Sequence, residues 1–278
     1  MESPETQNSA KTYIAPLLAG GVAGVTVVSA FYPLDTLKTR LQSQQGFYKA
    51  GGFQGVYRGL STVAVGAMPV TALFFVSYEA TKSIALPLVT PQYAPFVHIL
   101  AASLSEILCC TIHVPIEIAK QRKQTYVGSE KRSSIRILVE AYKTEGLRRG
   151  VYRGFFTTVA RDLPFSFIEL PIWEGLKSLV RERNEGNING FQSAACGAAA
   201  GALAGAATTP LDVAKTRVML APRGVRPGAA LAAIYVRAGV RGLFAGLAPR
   251  VAAVSLGAFV FFGLYEQTKM FFEKYFDR

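Results

Sequence analysis

Half of the 278 residues are hydrophobic and 17% are charged, a balance that excludes an ordinary soluble domain and puts the chain in a membrane class. The 30 Lys and Arg against 18 Asp and Glu give a formal charge of +12, which suits a nucleic-acid binder only if the bases form a binding face. Cys109, Cys110 and Cys196 all lie in apolar runs without metal-site or CxxC spacing, so no disulfide framework is expected and packing is their expected role.

The N-terminal stretch from Met1 to Tyr13 carries Glu2 and Glu5 and no arginine, unlike a secretory signal or an Arg-rich transit peptide. An apolar run from Leu17 to Tyr32 then leads into Pro33-Leu-Asp35-Thr-Leu-Lys38-Thr-Arg40. A second run, Leu60 to Tyr78, ends in Tyr78-Glu79-x-x-Lys82. The same order returns twice. Phe96 to Val114 leads into Pro115-Ile-Glu117-Ile-Ala-Lys120-Gln-Arg122, and Phe155 to Trp173 ends in Trp173-Glu174-x-x-Lys177. Ala194 to Thr209 leads into Pro210-Leu-Asp212-Val-Ala-Lys215-Thr-Arg217, and Leu247 to Tyr265 ends in Tyr265-Glu266-x-x-Lys269. The chain therefore divides into three repeats, residues 1–90, 91–186 and 187–278, each with two runs near the ~20 residues that a membrane-crossing helix needs. Helices are expected because lipid offers backbone polar groups no external partner. Small residues at helical spacing, Gly20 and Gly24, then Gly197, Gly201 and Gly205, suit close helix packing.

The bases now sort by place. Of the 30, 21 lie between Lys38 and Arg58, Lys120 and Arg153, or Lys215 and Arg250, the connections from odd to even spans. Six spans put these connections on one side and both termini on the other. The charge thus reports topology and anionic lipid, not nucleic acid.

Within each motif the acid and lysine are three residues apart and share a helix face. Proline kinks repeated in three helices would tilt their ends toward one axis, where an acid meets the next helix's lysine. The aromatic-Glu-x-x-Lys triplets supply a second ring at the other end. Ion pairs at partly dry sites are individually marginal, which suits gates that must open.

The threefold motif resembles that of the mitochondrial carrier family over nearly the whole chain. The resemblance implies an all-α membrane protein: six transmembrane helices in three pseudo-symmetric repeats around a central cavity, short matrix helices in the connections, and alternating access between two salt-bridge gates. It pairs Asp35 with Lys120, Glu117 with Lys215 and Asp212 with Lys38 in a matrix gate. Glu79 with Lys177, Glu174 with Lys269 and Glu266 with Lys82 form the cytoplasmic one. Gln42 and Gln124 match the family's bracing glutamine, whereas Met219 departs from it. Tyr57-Arg58-Gly59 and Tyr152-Arg153-Gly154 resemble cardiolipin-contacting segments; Phe244-Ala245-Gly246 lacks the base.

Shared residues describe a shared cycle, so cargo should be written where the repeats disagree. Gly66-Ala67, Arg161-Asp162 and Ala253-Val254 occupy equivalent positions, and Glu106 replaces Gly24 and Gly201. Ionisable residues at such depth mark a pathway. Arg161 can hold a carboxylate, while Asp162 and Glu106 can hold cations, unless these charges form a structural pair or interhelical bond. The resemblance makes Gly66 and Val254 the other contact points. Phe74, Phe75 and Phe165 are stacking candidates or packing residues. Arg250 is a substrate contact or lipid anchor, His113 lines the cavity or packs, and Glu169 has no assigned role. Pro33 to Leu41, Gln44-Gln-Gly-Phe47, Lys49-Ala-Gly-Gly52, Thr209 to Arg217 and Arg161-Asp-Leu-Pro-Phe-Ser166 are similar to one subfamily, the S-adenosylmethionine carriers. That likeness implies exchange of S-adenosylmethionine for S-adenosylhomocysteine across the mitochondrial inner membrane, with both termini toward the intermembrane space. Arg161 would take the carboxylate, Asp162 the ammonium and Glu106 the sulfonium. A monomer without cofactor or resident metal is expected. A carrier of another nucleotide-like cofactor or amino acid is the alternative, and a non-transporting scaffold a remote one; no metal spacing, nucleophile motif or phosphate loop points to an enzyme.

Overall fold

A computed structural model describes residues 24–128, 132–184, 187–221 and 225–260. The helices are α1 (24–42), α2 (Leu60–Ala85), α3 (Ala94–Gln124), α4 (Ser134–Gly146), α5 (Phe155–Arg183), α6 (Gly190–Ala207), α7 (Thr209–Leu220), α8 (Pro227–Leu243) and α9 (Leu247–Val260). No strand occurs among the described residues.

Exposure is inverted relative to a water-soluble protein. Met68 and Phe96 are 79% and 68% exposed, whereas Asp212 and Lys215 are 2% exposed. Apolar surface outside and charge inside is stable when the surrounding solvent is lipid. The segments Leu60–Leu88 and Phe96–Gln124 are each long and apolar enough to cross a membrane alone. Two bent pairs, Gly190–Ala207 with Thr209–Leu220 and Pro227–Leu243 with Leu247–Val260, also qualify if each is taken as one span. With 29 residues, α5 rises about 43 Å, but Arg161, Asp162, Glu169, Glu174 and Lys177 dilute its apolar character.

The proline motif acts differently in its three copies. Helix runs on past Pro33 in α1 and past Pro115 in α3. Only in the third copy does the helix break, at Thr208 between α6 and α7, just before Pro210. Proline removes one backbone donor, and neighbouring packing decides whether the helix bends there.

The connections differ as well. Both α4 and α8 bury an i,i+4 pair, Ile137 with Ala141 and Ala230 with Ile234, as a surface-lying amphipathic helix does. The expected helix is missing from the first connection. Residues 44–59 form successive turns in which Gly46, Gly51, Gly52, Gly55 and Gly59 have positive φ. Five residues in the left-handed region preclude a right-handed helix.

The described chain separates into two compact units, which are taken one at a time. The first comprises 1–35, 167–206 and 248–278. Here small residues on α6 admit large neighbours: a Cβ at Gly201 would lie 2.7 Å from a Val254 methyl, and one at Gly197 would touch the Trp173 ring. The Phe191 and Phe259 rings meet edge-on at 4.8 Å. The second unit comprises 36–166 and 207–247. Its core is Cys110, Val114, Ile118 and Met219, covered by Phe155 and Val159. In this unit α2 packs closely on α3, where Gly66 leaves no room for a Cβ beside Ile116.

Candidate functional site

In the second unit, α1, α3, α5 and α7 bring their charges together. Lys38 Nζ lies 2.7 Å from Asp212 Oδ2, and Gln42 Nε2 donates to the same oxygen at 2.8 Å. Thr216 Oγ1 in turn donates to Gln42 Oε1 at 2.6 Å, so the Gln42 amide is held at both ends. Glu117 is shared. Lys120 approaches it at 3.8 Å from its own helix and Lys215 at 3.9 Å from α7, while His113 stands 3.5 Å away and Gln121 donates at 2.8 Å. Gln124 Nε2 donates to Thr36 Oγ1 at 3.1 Å. Met219, where a third glutamine would stand, sits instead in the apolar core. Asp35 is half-buried on α1.

Arg161 Nε stands 2.8 Å from Asp162 Oδ1 and 3.8 Å from Asp212 Oδ1. Glu106, Cys110 and Asp162 each contribute a side-chain oxygen or sulfur atom to a cluster within 4.8 Å. A guanidinium, two carboxylates and a thiol thus converge inside spanning helices. Such a set offers a donor for an anion and acceptors for a cation side by side.

The other expected contacts are placed less favourably. Gly66 is buried against Ile116, so its missing side chain serves helix packing rather than space for a solute. Val254 packs on Gly201 in the first unit, where Glu169 also approaches, and Arg250 is buried near Gly205.

At the far ends of the even spans the described acids pair with a lysine of their own helix. Lys82 bonds Glu79 at 2.9 Å, and Lys177 bonds Glu174 at 2.7 Å while covering the Trp173 ring at 3.7 Å. The carboxylates are 63% and 60% exposed, and a lysine three residues on is their nearest partner on the helix. Glu266 and Lys269 lie outside the described residues.

Sequence reasoning missed the role of Arg153. It is 5% exposed, bonds Glu145 at 2.8 Å and donates to the Ala221 carbonyl at the end of α7. Burial lowers its pKa, and the Glu145 carboxylate opposes that shift. Arg58 donates likewise to the Tyr126 carbonyl at 3.0 Å. These bases thus join one repeat to the next. Ala245, at the third position, can make no such bond. The signal was available in the equal offset of Tyr126 and Ala221 from their motif prolines.

The family model described as mitochondrial carrier protein matches residues 9–87, 91–184 and 186–276. The chain belongs to the mitochondrial carrier family. As a member it is a multi-pass transporter of the mitochondrial inner membrane and not an enzyme. It is 47% identical over 264 residues to the mitochondrial S-adenosylmethionine carrier protein of Danio rerio, covering 93% of this chain and 97% of that one. It is 48% identical over 269 residues to the S-adenosylmethionine mitochondrial carrier protein homolog of Drosophila melanogaster, covering 95% and 94%. Identity to the mitochondrial S-adenosylmethionine carrier protein of Mus musculus is 47% over 262 residues, covering 92% and 94%.

Proposed function

We propose that this carrier imports S-adenosylmethionine into the mitochondrial matrix in exchange for S-adenosylhomocysteine. The observation that carries the reading is the convergence of Arg161, Asp162 and Glu106 in the second unit. One base and two acids match a solute with a carboxylate, an ammonium and a sulfonium. Arg161 takes the carboxylate, Asp162 the ammonium and Glu106 the sulfonium. Relatives at 47–48% identity that are named for this solute support the assignment.

In the proposed cycle the charges of the proline motifs close the matrix side: Asp212 with Lys38, Glu117 with Lys215 and Asp35 with Lys120, braced by Gln42 and Gln124. The pairs Glu79 with Lys177, Glu174 with Lys269 and Glu266 with Lys82 close the cytoplasmic side in the alternate state. Both termini face the intermembrane space, and the unit of function is a monomer. Cardiolipin contact rests on backbone amides after Gly59, Gly154 and Gly246, whose φ of 102°, 83° and 77° turns the chain into the following helix.

The test is exchange in liposomes containing the purified chain. Labelled S-adenosylmethionine enters vesicles loaded with S-adenosylhomocysteine and not empty ones. Uptake of another nucleotide or amino acid in its place would refute the substrate assignment.

A further inference from the structure

Within the unit of 36–166 and 207–247, the described carboxylates other than Glu106 each lie within 4 Å of a cation. Glu106 makes no ion pair or hydrogen bond among the described residues. It is half-buried on α3, between Ser105 and the Cys109-Cys110 thiols. Asp162 and Arg161 act on it from α5, Lys215 from α7 and His113 from its own helix. The cluster it forms with Cys110 and Asp162 also holds an unmet acceptor: Asp162 is 8% exposed, and its Oδ2 is buried without a hydrogen-bond partner.

We infer that Glu106 is a proton site coupled to transport, so that one proton leaves the matrix for each sulfonium cation that enters. The inference rests on the substrate pair proposed above. S-adenosylmethionine has a carboxylate, an ammonium and a sulfonium, and carries one net positive charge. S-adenosylhomocysteine has lost the sulfonium charge and is neutral. On the inward path the sulfonium neutralises the Glu106 carboxylate. On the outward path the neutral thioether supplies no cation, and an ionised carboxylate that makes no ion pair is costly inside a membrane span. A matrix proton therefore forms an O–H bond at Glu106 before the carrier turns. That bond breaks on the opposite side as the next sulfonium arrives, and the proton is released to water. The loaded carrier has the same net charge in both directions, so the exchange is electroneutral.

The experiment uses liposomes holding the full chain, with S-adenosylhomocysteine and a pH-sensitive dye inside and labelled S-adenosylmethionine outside. The expected result is internal alkalinisation by about one proton per S-adenosylmethionine taken up, as a single titrating carboxylate supplies. An imposed inside-negative potential should leave accumulation unchanged, whereas movement of one uncompensated charge would raise it roughly 50-fold per 100 mV. Uptake driven by potential without any pH change overturns the inference and leaves the substrate reading standing. Failure of S-adenosylmethionine to enter at all defeats the substrate reading itself. In Glu106→Gln the residual exchange should lose its proton flux and become potential-driven, while Glu106→Asp retains the coupling. Proton flux that survives in Glu106→Gln would move the site to another acid, with Glu169 first in line, and overturn the assignment. If Glu106→Gln does not transport, the proton flux of the unaltered chain still decides.

Discussion

The charges of the proline motifs and those at the far ends of the even spans share one chemistry, an acid with a lysine three residues on, yet they choose partners differently. Asp212 reaches across to Lys38 on another helix, with its side chain 3% exposed. Glu79 and Glu174, mostly exposed, each take the lysine of their own helix. Spacing alone puts both groups on one face; burial decides which partner wins. Where water reaches the carboxylate, a local pair suffices and is individually weak. Where packing excludes water, each charge needs fixed partners, and Asp212 collects Lys38, Gln42 and Arg161.

The strongest way to break this contrast is Asp212→Asn. It leaves Lys38 and Arg161 without a carboxylate that both approach, and removing one partner of a buried ion pair costs about 3–5 kcal/mol. Thermal unfolding of the detergent-solubilised carrier should fall by several degrees, on the order of 5–10 °C at a few degrees per kcal/mol. An unchanged midpoint would mean that the Asp212 network contributes no stability.

An intermediate effect is expected at Met219. The family pattern invites a glutamine there, and its absence implies a weak gate. Instead, Met219 fills a core with Cys110, Val114 and Ile118, while the Arg153 bond to the Ala221 carbonyl ties down the chain two residues on. Met219→Gln would bury an amide among apolar groups, and an unsatisfied buried polar group costs about 1–3 kcal/mol. A lowered unfolding midpoint supports this packing role. A raised midpoint would show that the amide finds the Glu117 and Lys215 pair and acts as a brace.

These cases show how far the sequence could be read. The repeats, the apolar runs and the odd residues Glu106, Arg161 and Asp162 are legible because repetition makes a departure visible. What escapes is set by contacts between distant segments. Gly66 looks like room for cargo until Ile116 is seen against it. Arg153 donates a hydrogen bond to the Ala221 carbonyl, 68 residues away, a contact that no local pattern announces. The missing helix of the first connection was foreshadowed by glycines at 46, 51, 52, 55 and 59, whose conformations only the backbone reveals. Three equivalent prolines, of which one follows a helix break and two lie in unbroken helices, show the same dependence on neighbours.

The smallest effect on stability, and the sharpest test of the contrast, is expected from Glu79→Gln. The carboxylate is 63% exposed and its bond to Lys82 is intrahelical, so its loss should leave the unfolding midpoint unchanged within error. Transport should nevertheless fall, because the proposed alternate state asks Glu79 to leave Lys82 and meet Lys177. An exposed pair is easily given up, and that low cost lets one acid serve two lysines in turn. The decisive pattern is slower exchange at an unchanged midpoint, partly restored when Lys177→Gln is added, since the double variant no longer strands a lysine at the closed gate. If Glu79→Gln alters neither midpoint nor exchange, the far-end motif is a solvated helix end and the proposed cycle has only one ionic gate.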